Sequence, residues 1–290
     1  MPTKIEKDRL TGKETTGHEW DGIKELNTPL PKWWLYVFYA CIIWSIGYMV
    51  LYPAIPLGTT YTKGLLGWSS REQVRDQIAD ARERQGEFLI GIQESSLEEI
   101  RADSTLFTFA QRGGAVAFAD NCAACHGAAG QGNVGGFPVL ADDDWIWGGS
   151  LDSIHHTIVH GVRWEDDPDT RFNMMPAYGD GLLSEEEIAQ VTDYVLSLSG
   201  RAPEGADLAP GEEIFAIQCA ACHGEMGEGV TDLGGPNLSD AIWLYGSERN
   251  EIMAQIVNPQ HGVMPAFQAR LEGETLKMLS IYVHALGGGQ

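Results

Sequence analysis

Basic side chains are scarce in this sequence. Its 290 residues include 19 Lys and Arg against 41 Asp and Glu, a formal net charge of −22 at pH 7. This deficit argues against a nucleic-acid-binding protein, which needs a basic surface. The imbalance is confined to residues 114–290, where 26 acidic residues stand against 6 basic ones. We expect this part to attract a basic partner, although an acidic surface that only keeps the protein soluble predicts the same composition.

Cysteine is also scarce, and its distribution leaves no disulfide framework. Of five cysteines, Cys41 lies in an apolar run and is predicted to be a packing residue. The other four form two C-x-x-C-H motifs, the first motif at residues 122–126 and the second motif at residues 219–223. In such a motif two thiols bind a porphyrin through thioether bonds and the histidine binds the iron. A redox dithiol or half of a zinc site is the alternative, and the location of the motifs in separate repeats disfavours zinc.

Only one long apolar run is present, at residues 33–52, and it contains no charged residue. Twenty helical residues span about 30 Å, the thickness of the hydrocarbon core of a bilayer. Aromatic residues stand at both ends of the run, as expected at a membrane interface. The preceding 32 residues carry six acidic and six basic residues, which does not fit a cleaved signal peptide. The run therefore predicts a transmembrane helix rather than a signal peptide or a buried core helix.

The anchor divides the chain into predicted segments. These are an N-terminal cytoplasmic segment at 1–32, a transmembrane anchor at 33–57 and a periplasmic helical linker at 58–104. Covalent haem attachment belongs outside the cytoplasmic membrane, so the C-terminal half is expected in the periplasm of a bacterial inner membrane. The linker is polar and helix-compatible, and we assign no chemistry to it.

The rest of the sequence is an internal duplication. Three further landmarks recur in the same order around the two motifs: Gly114-x-x-x-Phe118 and Gly211-x-x-x-Phe215, Met175-Pro-Ala-Tyr178 and Met264-Pro-Ala-Phe267, and Tyr194-Val195 and Tyr282-Val283. Each repeat is short and helix-compatible. The sequence thus predicts a mainly α protein with two class I cytochrome c domains in tandem, at 105–200 and 201–290.

The recurring methionines predict the sixth iron ligands. A thioether is a soft donor for iron, and His/Met ligation raises the reduction potential. Met175 and Met264 are the expected ligands, each for the haem of its own repeat by default, although either could cross to the other haem. Met174 has no counterpart in the second repeat and is predicted to pack. None of five further histidines recurs at an equivalent position, which favours surface or propionate-contact roles for His155, His156, His160, His261 and His284.

A helix crossing is expected to close each repeat around its haem. Phe118 should contact Tyr194, and Phe215 should contact Tyr282, since Gly and Phe four residues apart share one helix face. Ser184 and Glu187 predict a capping box at the start of a helix. Several other side chains could bind haem propionates, with packing or surface roles as alternatives: Arg163, Trp145 and Trp243.

The N-terminal residues 16–34, TGHEWDGIKELNTPLPKWW, followed by one span and two haem motifs, resemble subunit III of cbb3-type cytochrome c oxidase, the diheme P subunit. The resemblance covers essentially the whole chain. It implies two covalently attached haem c groups, with Cys122 and Cys125 holding one and Cys219 and Cys222 the other. His126, Met175, His223 and Met264 would be the axial ligands.

The same resemblance implies a role and partners. The chain would accept electrons from a soluble or anchored basic cytochrome c and pass them, through a monohaem subunit, to the haem–copper subunit that reduces oxygen. It would transfer electrons only and carry no catalytic residue. Two rival functions are a membrane-anchored diheme cytochrome that serves another dehydrogenase or reductase, and a diheme peroxidase with one open iron.

Overall fold

The computed structural model describes residues 4–133 and 135–289, and the chain divides after Arg84 into two compact units. Residues 1–3 of the predicted cytoplasmic segment lie outside the described residues. The first unit contains an antiparallel hairpin, β1 (Thr15–Trp20) and β2 (Ile23–Leu26). The hairpin is followed by α1 (Lys32–Leu51).

Helix α1 matches the apolar run closely. It starts one residue before the predicted span and ends at Leu51, with Tyr52 as its C-terminal cap. Pro53 follows, and a proline disfavours helical geometry in the residue before it. None of the residues of α1 is buried, and the helix is long and apolar enough to cross a bilayer. It is the candidate membrane anchor, and Cys41, predicted to be a packing residue, is exposed on it.

The remaining helices follow in chain order. They are α2 (Ser70–Glu94), α3 (Leu97–Ala102), α4 (Ser104–Asn121), α5 (Ala123–His126), α6 (Leu151–His160), α7 (Glu185–Leu198), α8 (Ala209–Gln218), α9 (Ala220–His223), α10 (Arg249–Val257) and α11 (Gly273–His284), with 3-10 turns at Tyr178–Asp180 and Thr231–Leu233. The mainly α class is confirmed.

Side chains at the helix starts explain several of these boundaries. Asp103 caps α4 by accepting hydrogen bonds from the backbone N–H groups of Thr105 and Leu106. Ser184 and Glu187 form the predicted capping box at the start of α7. Such caps satisfy the first backbone donors of a helix and each contributes about 1 kcal/mol.

The helices of the two repeats pair across the duplication, contrary to the sequence prediction. Phe118 on α4 contacts Tyr282 on α11, with ring centroids 5.3 Å apart. Tyr194 on α7 contacts Phe215 on α8 at 5.2 Å. The predicted pairs, Phe118 with Tyr194 and Phe215 with Tyr282, are therefore wrong. Two helix crossings at a glycine and a phenylalanine exist, as expected, but each helix that carries Gly and Phe crosses the tyrosine helix of the other repeat.

Two of the hydrophobic cores contain the aromatic contacts of these exchanged helix pairs. The first core is formed by α4, α6 and α11, with Phe118, Ile154, Ile158, Phe267, Leu276, Leu279 and Val283 buried. The second core is formed by α7, α8 and α10, with Tyr178, Ile188, Val191, Val195, Leu196, Phe215, Ile252 and Ile256 buried. The second core thus comes from one continuous stretch of chain, whereas the first comes from two stretches on either side of it.

The C-terminal end of α2 is held by α11. The ammonium group of Lys277 donates to the carbonyl oxygens of Ile92, Gln93 and Ser95, at 3.2, 2.9 and 2.7 Å. These are carbonyls that a helix terminus leaves without intrahelical partners, and a cation there is favoured by the helix dipole. The end of the predicted linker is therefore an ordered part of the second unit.

Candidate haem-binding site

Each C-x-x-C-H motif forms a single helical turn, α5 in the first motif and α9 in the second. The histidine rings are oriented by the chain that follows: His126 Nδ1 lies 3.1 Å from the carbonyl oxygen of Pro138. His223 Nδ1 lies 3.0 Å from that of Pro236. Because a carbonyl can only accept, Nδ1 carries the proton and the lone pair is on Nε2. Nε2 is then available to an iron, as in metal sites whose histidine donates its other N–H to a backbone carbonyl.

Burial sets the protonation states in both motifs. It lowers the pKa of His126 and of His223, against the opposing effect of the proline carbonyls. Both rings are therefore favoured in the neutral form that binds metals. Burial also raises the pKa of the Cys122 and Cys219 thiols to about 11. Redox dithiols instead have a lowered thiol pKa, so this environment disfavours the dithiol alternative.

The zinc alternative also lacks a ligand set. Among residues 4–133 and 135–289, three potential ligand side chains come together at His160, Asp167 and Asp169 and at no other place. That group contains no cysteine and lies outside both motifs. None of the five cysteines is paired in a disulfide, so four thiols are available for thioether bonds.

A cavity of about 1000 Å³ adjoins both motifs. Its lining includes His126 and His223, Met175 and Met264, and apolar side chains from both cores. Such a continuous, mostly apolar space beside two pairs of thiols fits two porphyrins held by their edges. A buried polar atom gives further support: Nε2 of His261, also in the lining, has no hydrogen-bond partner among the described residues. A propionate carboxylate would give it one.

The two methionines pack against different cores. Met264 and Cys122 both pack against the first core. Met175 and Cys219 both pack against the second core. Met174, predicted to pack, is 51% exposed, because side chains alternate between two faces in the extended segment that contains both neighbours.

Two of the five histidines outside the motifs have polar contacts elsewhere. His155 Nδ1 lies 3.0 Å from Ser280 Oγ, and His160 Nδ1 lies 3.2 Å from the carboxylate of Asp167. The histidines that line the cavity, within the described part of the chain, are His126, His223 and His261. Of the five histidines outside the motifs, His261 is thus the one that lines the cavity.

The three side chains considered for propionates differ in their contacts. The indole N–H of Trp145 donates to Gly288 O at 2.6 Å, and that of Trp243 to Asp240 O at 3.3 Å. Both indole donors therefore serve the backbone. Arg163 bridges the segments that precede the two methionines: its guanidinium donates to Gly262 O at 2.7 Å and to Asn173 O at 3.0 Å. Burial lowers its pKa.

Four residues that line the cavity were not predicted from the sequence. Tyr245 packs against Gly136, and Trp147 packs against Gly234, so that any side chain at either glycine would overlap the ring. In each contact an aromatic side chain of one repeat packs against a glycine of the other repeat. The sequence contained a sign of this equivalence, because Trp145-x-Trp147 and Trp243-x-Tyr245 follow equivalent Pro-x-Leu segments.

Comparison with known proteins gives matches over nearly the whole chain. Three family profiles match: the N-terminal domain of cytochrome oxidase-cbb3, FixP, at residues 12–59; cytochrome c at 110–199; and cytochrome c oxidase, cbb3-type, subunit III, at 206–283. A cbb3-type cytochrome c oxidase subunit CcoP from Azospirillum sp. (strain B510) is 51% identical over 293 residues, with 98% of each chain covered. The corresponding subunit FixP of Azorhizobium caulinodans is 52% identical over 284 residues, covering 98% of this chain and 96% of its own length.

Proposed function

The chain belongs to the CcoP/FixP family of cbb3-type cytochrome c oxidase subunits, and on that premise we propose that it binds two haem c groups, one at each motif. Its role in the oxidase is electron transfer. The observation that carries the proposal is the repeated geometry of histidine and proline carbonyl beside one apolar cavity.

The motif residues have the following proposed roles. Cys122 and Cys125 form thioether bonds to one haem, and Cys219 and Cys222 do so to the other. His126 and His223 bind the irons through Nε2, since Nδ1 donates to a proline carbonyl in both. Met175 and Met264 supply the sixth ligands. Bound haem supplies one-electron redox chemistry at a potential that the ligands and burial tune.

The proposed partners follow from the family and from the charge. We propose that the chain assembles with the haem–copper subunit and the monohaem subunit of the oxidase. Its electron donor is a basic cytochrome c, which the net charge of −20 over residues 114–290 would attract. This charge lies in the part of the chain that holds both motifs, so that attraction would bring a donor near the haems.

The proposed location is the bacterial inner membrane, with α1 as a single-pass anchor. The N-terminus is cytoplasmic and the haem-bearing part periplasmic. Support comes from a 20-residue helix that carries no charged residue after Lys32 and from the requirement that c-type haem be attached outside the cytoplasmic membrane.

Co-purification tests the assignment to the oxidase. The tagged chain, solubilised in mild detergent, should carry haem c and retain haem b and copper through the catalytic subunit. A chain that carries haem c but loses haem b and copper at every detergent condition would instead support an anchored cytochrome that serves another enzyme.

A further inference from the structure

We propose that residues 53–68, which we call the collar, bind the phospholipid surface of the bilayer beside the end of α1. The collar would lie at the boundary between the lipid headgroups and the acyl chains, and it would extend the membrane anchor beyond its helix. This inference rests on the proposed membrane location of α1. It adds a second lipid-binding element, which the length of the apolar run does not predict.

Backbone hydrogen bonds hold the collar against the last turn of α1. The N–H of Leu65 donates to Val50 O at 2.9 Å, and the N–H of Leu66 donates to Leu51 O at 3.1 Å. Carbonyls in the last turn of a helix have no intrahelical partner, so the collar supplies donors to two of them. Both acceptors belong to the apolar run. The two leucines of the collar therefore lie beside the end of the span, where the hydrocarbon core of a bilayer would end.

Gly64 allows this close approach. Its φ of +71° favours glycine, and a Cβ at this position would overlap the backbone of Leu51. Four residues later the ring of Trp68 lies edge-on to Tyr52, the residue that caps α1, with 5.9 Å between the ring centroids. The collar is thus fixed to the end of the helix through its backbone and through an aromatic contact.

The first part of the collar pairs its own backbone groups. The N–H of Leu57 donates to Thr60 O at 2.7 Å, and the N–H of Thr62 donates to Ile55 O at 2.9 Å. The hydroxyl oxygen of Thr62 also accepts from the N–H groups of Ala54 and Ile55, at 3.3 and 3.1 Å. A backbone group without a partner is costly where water is scarce. These bonds therefore lower the cost of placing irregular chain at the edge of the hydrocarbon core.

The side chains of the collar form an apolar surface. Six large apolar side chains are exposed, with 78% exposure at Leu65: Ile55, Leu57, Tyr61, Leu65, Leu66 and Trp68. Residues 53–70 contain one charged residue, Lys63. Exposed apolar surface of this extent is typical of a contact with a membrane or with another protein.

The position of the collar favours lipid over a protein partner. None of the residues of α1 is buried, so the exposed apolar surface of the helix continues into the collar. In the proposed location lipid surrounds this single helix, and the collar beside its last turn would meet the same lipid. Tyrosine and tryptophan rings such as those of Tyr61 and Trp68 are enriched at the headgroup level of membranes. The chemistry of the collar thus fits the interface of a bilayer.

Fluorescence quenching in the full-length holoprotein, reconstituted in phospholipid vesicles, tests this contact. An environment-sensitive fluorophore is attached to Leu65→Cys in a Cys41→Ser background, since the proposed thioether bonds leave the motif cysteines unreactive. We expect a blue-shifted emission, strong quenching by lipids with a nitroxide near the headgroup and weak quenching by aqueous iodide. The references are wild type labelled at Cys41, in the middle of α1, and the exposed Glu83→Cys on the polar helix α2.

Iodide quenching at Leu65→Cys as strong as at Glu83→Cys would overturn the inference, and Leu66→Cys must give the same result as Leu65→Cys. The label at Cys41 keeps the proposed location separate. If it is shielded from iodide while the collar is not, the location stands and the inference alone fails. If iodide quenches the label at Cys41 strongly, α1 is not in the bilayer and the proposed location fails.

Photo-cross-linking in the whole oxidase distinguishes lipid from a partner subunit. A photoreactive amino acid replaces Leu65 in the chain assembled in its native membrane, and the products are identified by mass spectrometry. Phospholipid adducts support the inference. A linked peptide from another oxidase subunit, without lipid adducts, would show that the collar is a subunit contact and would contradict it.

Discussion

At the scale of single residues, the carbonyls of Pro138 and Pro236 orient the histidine rings of the two motifs. Each lies 12 or 13 positions after its histidine and accepts from Nδ1. Neither bond could be assigned from the sequence, since many carbonyls lie at that distance along the chain. The cysteines, histidines and methionines themselves were recognisable because the duplication repeats them.

A second residue-scale feature is the close helix crossing at Gly114. Gly114→Ala would place a methyl group against the Met278 carbonyl and the Tyr282 side chain, both of which belong to a packed helix. We expect a loss of about 1–3 kcal/mol in the free energy of unfolding, measured by denaturant titration of the holoprotein.

Gly86→Ala is the matched control for this substitution. Gly86 also lies within a helix, and a Cβ there meets nothing within 4 Å. It should stabilise by about 0.5–1 kcal/mol, because alanine loses less backbone entropy. Equal effects of the two substitutions would mean that α4 and α11 are not in close contact.

Asp144, in the cavity lining, gives a pH-dependent prediction. Burial, with the neighbouring charges of Asp240 and Asp142, raises its pKa from 3.8 to about 6. The folded state therefore holds the proton more tightly than the unfolded state, and stability falls as pH rises from 3.8 through about 6.

Asp144→Asn removes this penalty. Its stability relative to wild type should increase by on the order of 1 kcal/mol between pH 4 and pH 7, since the carboxyl is only partly buried. Urea unfolding at both pH values measures the change, with the exposed Asp120→Asn as control. If the difference in unfolding free energy between Asp144→Asn and wild type were the same at pH 4 and pH 7, the pKa of Asp144 would not be raised.

At the scale of elements, the existence of the helices was predictable and their pairing was not. The helix starts carry local signals, such as the Ser184 capping box. The pairing of the helices carries no such local signal, because both repeats have the same glycine, phenylalanine and tyrosine. Pairing within a repeat or between repeats would bury the same side chains. One overlooked indication was the ten-residue connection 199–208 between α7 and α8, since short connections favour antiparallel neighbours.

A double-mutant cycle tests the exchanged pairing. Truncation of Phe118 and Tyr282 to Ala, singly and together, should give a coupling energy of about 0.5–1.5 kcal/mol, the range for contacting aromatic rings. The pair Phe118 and Tyr194 should give a coupling near zero. Coupling of Phe118 to Tyr194 instead would contradict the observed helix pairing.

At the scale of the whole molecule, the charge asymmetry separates the electron-transfer part from the rest. Residues 1–113 carry 15 acidic and 13 basic residues, whereas residues 114–290 are strongly acidic. Association with a basic cytochrome c should weaken as ionic strength rises, because exposed charges are screened beyond about 8 Å at physiological salt.

Stopped-flow reduction by a basic donor cytochrome at several salt concentrations measures this effect, and a donor with a neutral docking face is the control. An equal rate for the basic donor at low and high salt would exclude docking by charge.

The proposed electron transfer depends on two covalently attached haems on one chain. Their number is measured by the intact mass of the purified chain under denaturing conditions, together with haem-stained electrophoresis. We expect the mass of the 31.7 kDa polypeptide plus two haem groups, and the loss of one haem when the cysteines of either motif are replaced. A chain of unmodified polypeptide mass, or one that carries a single haem, would contradict it.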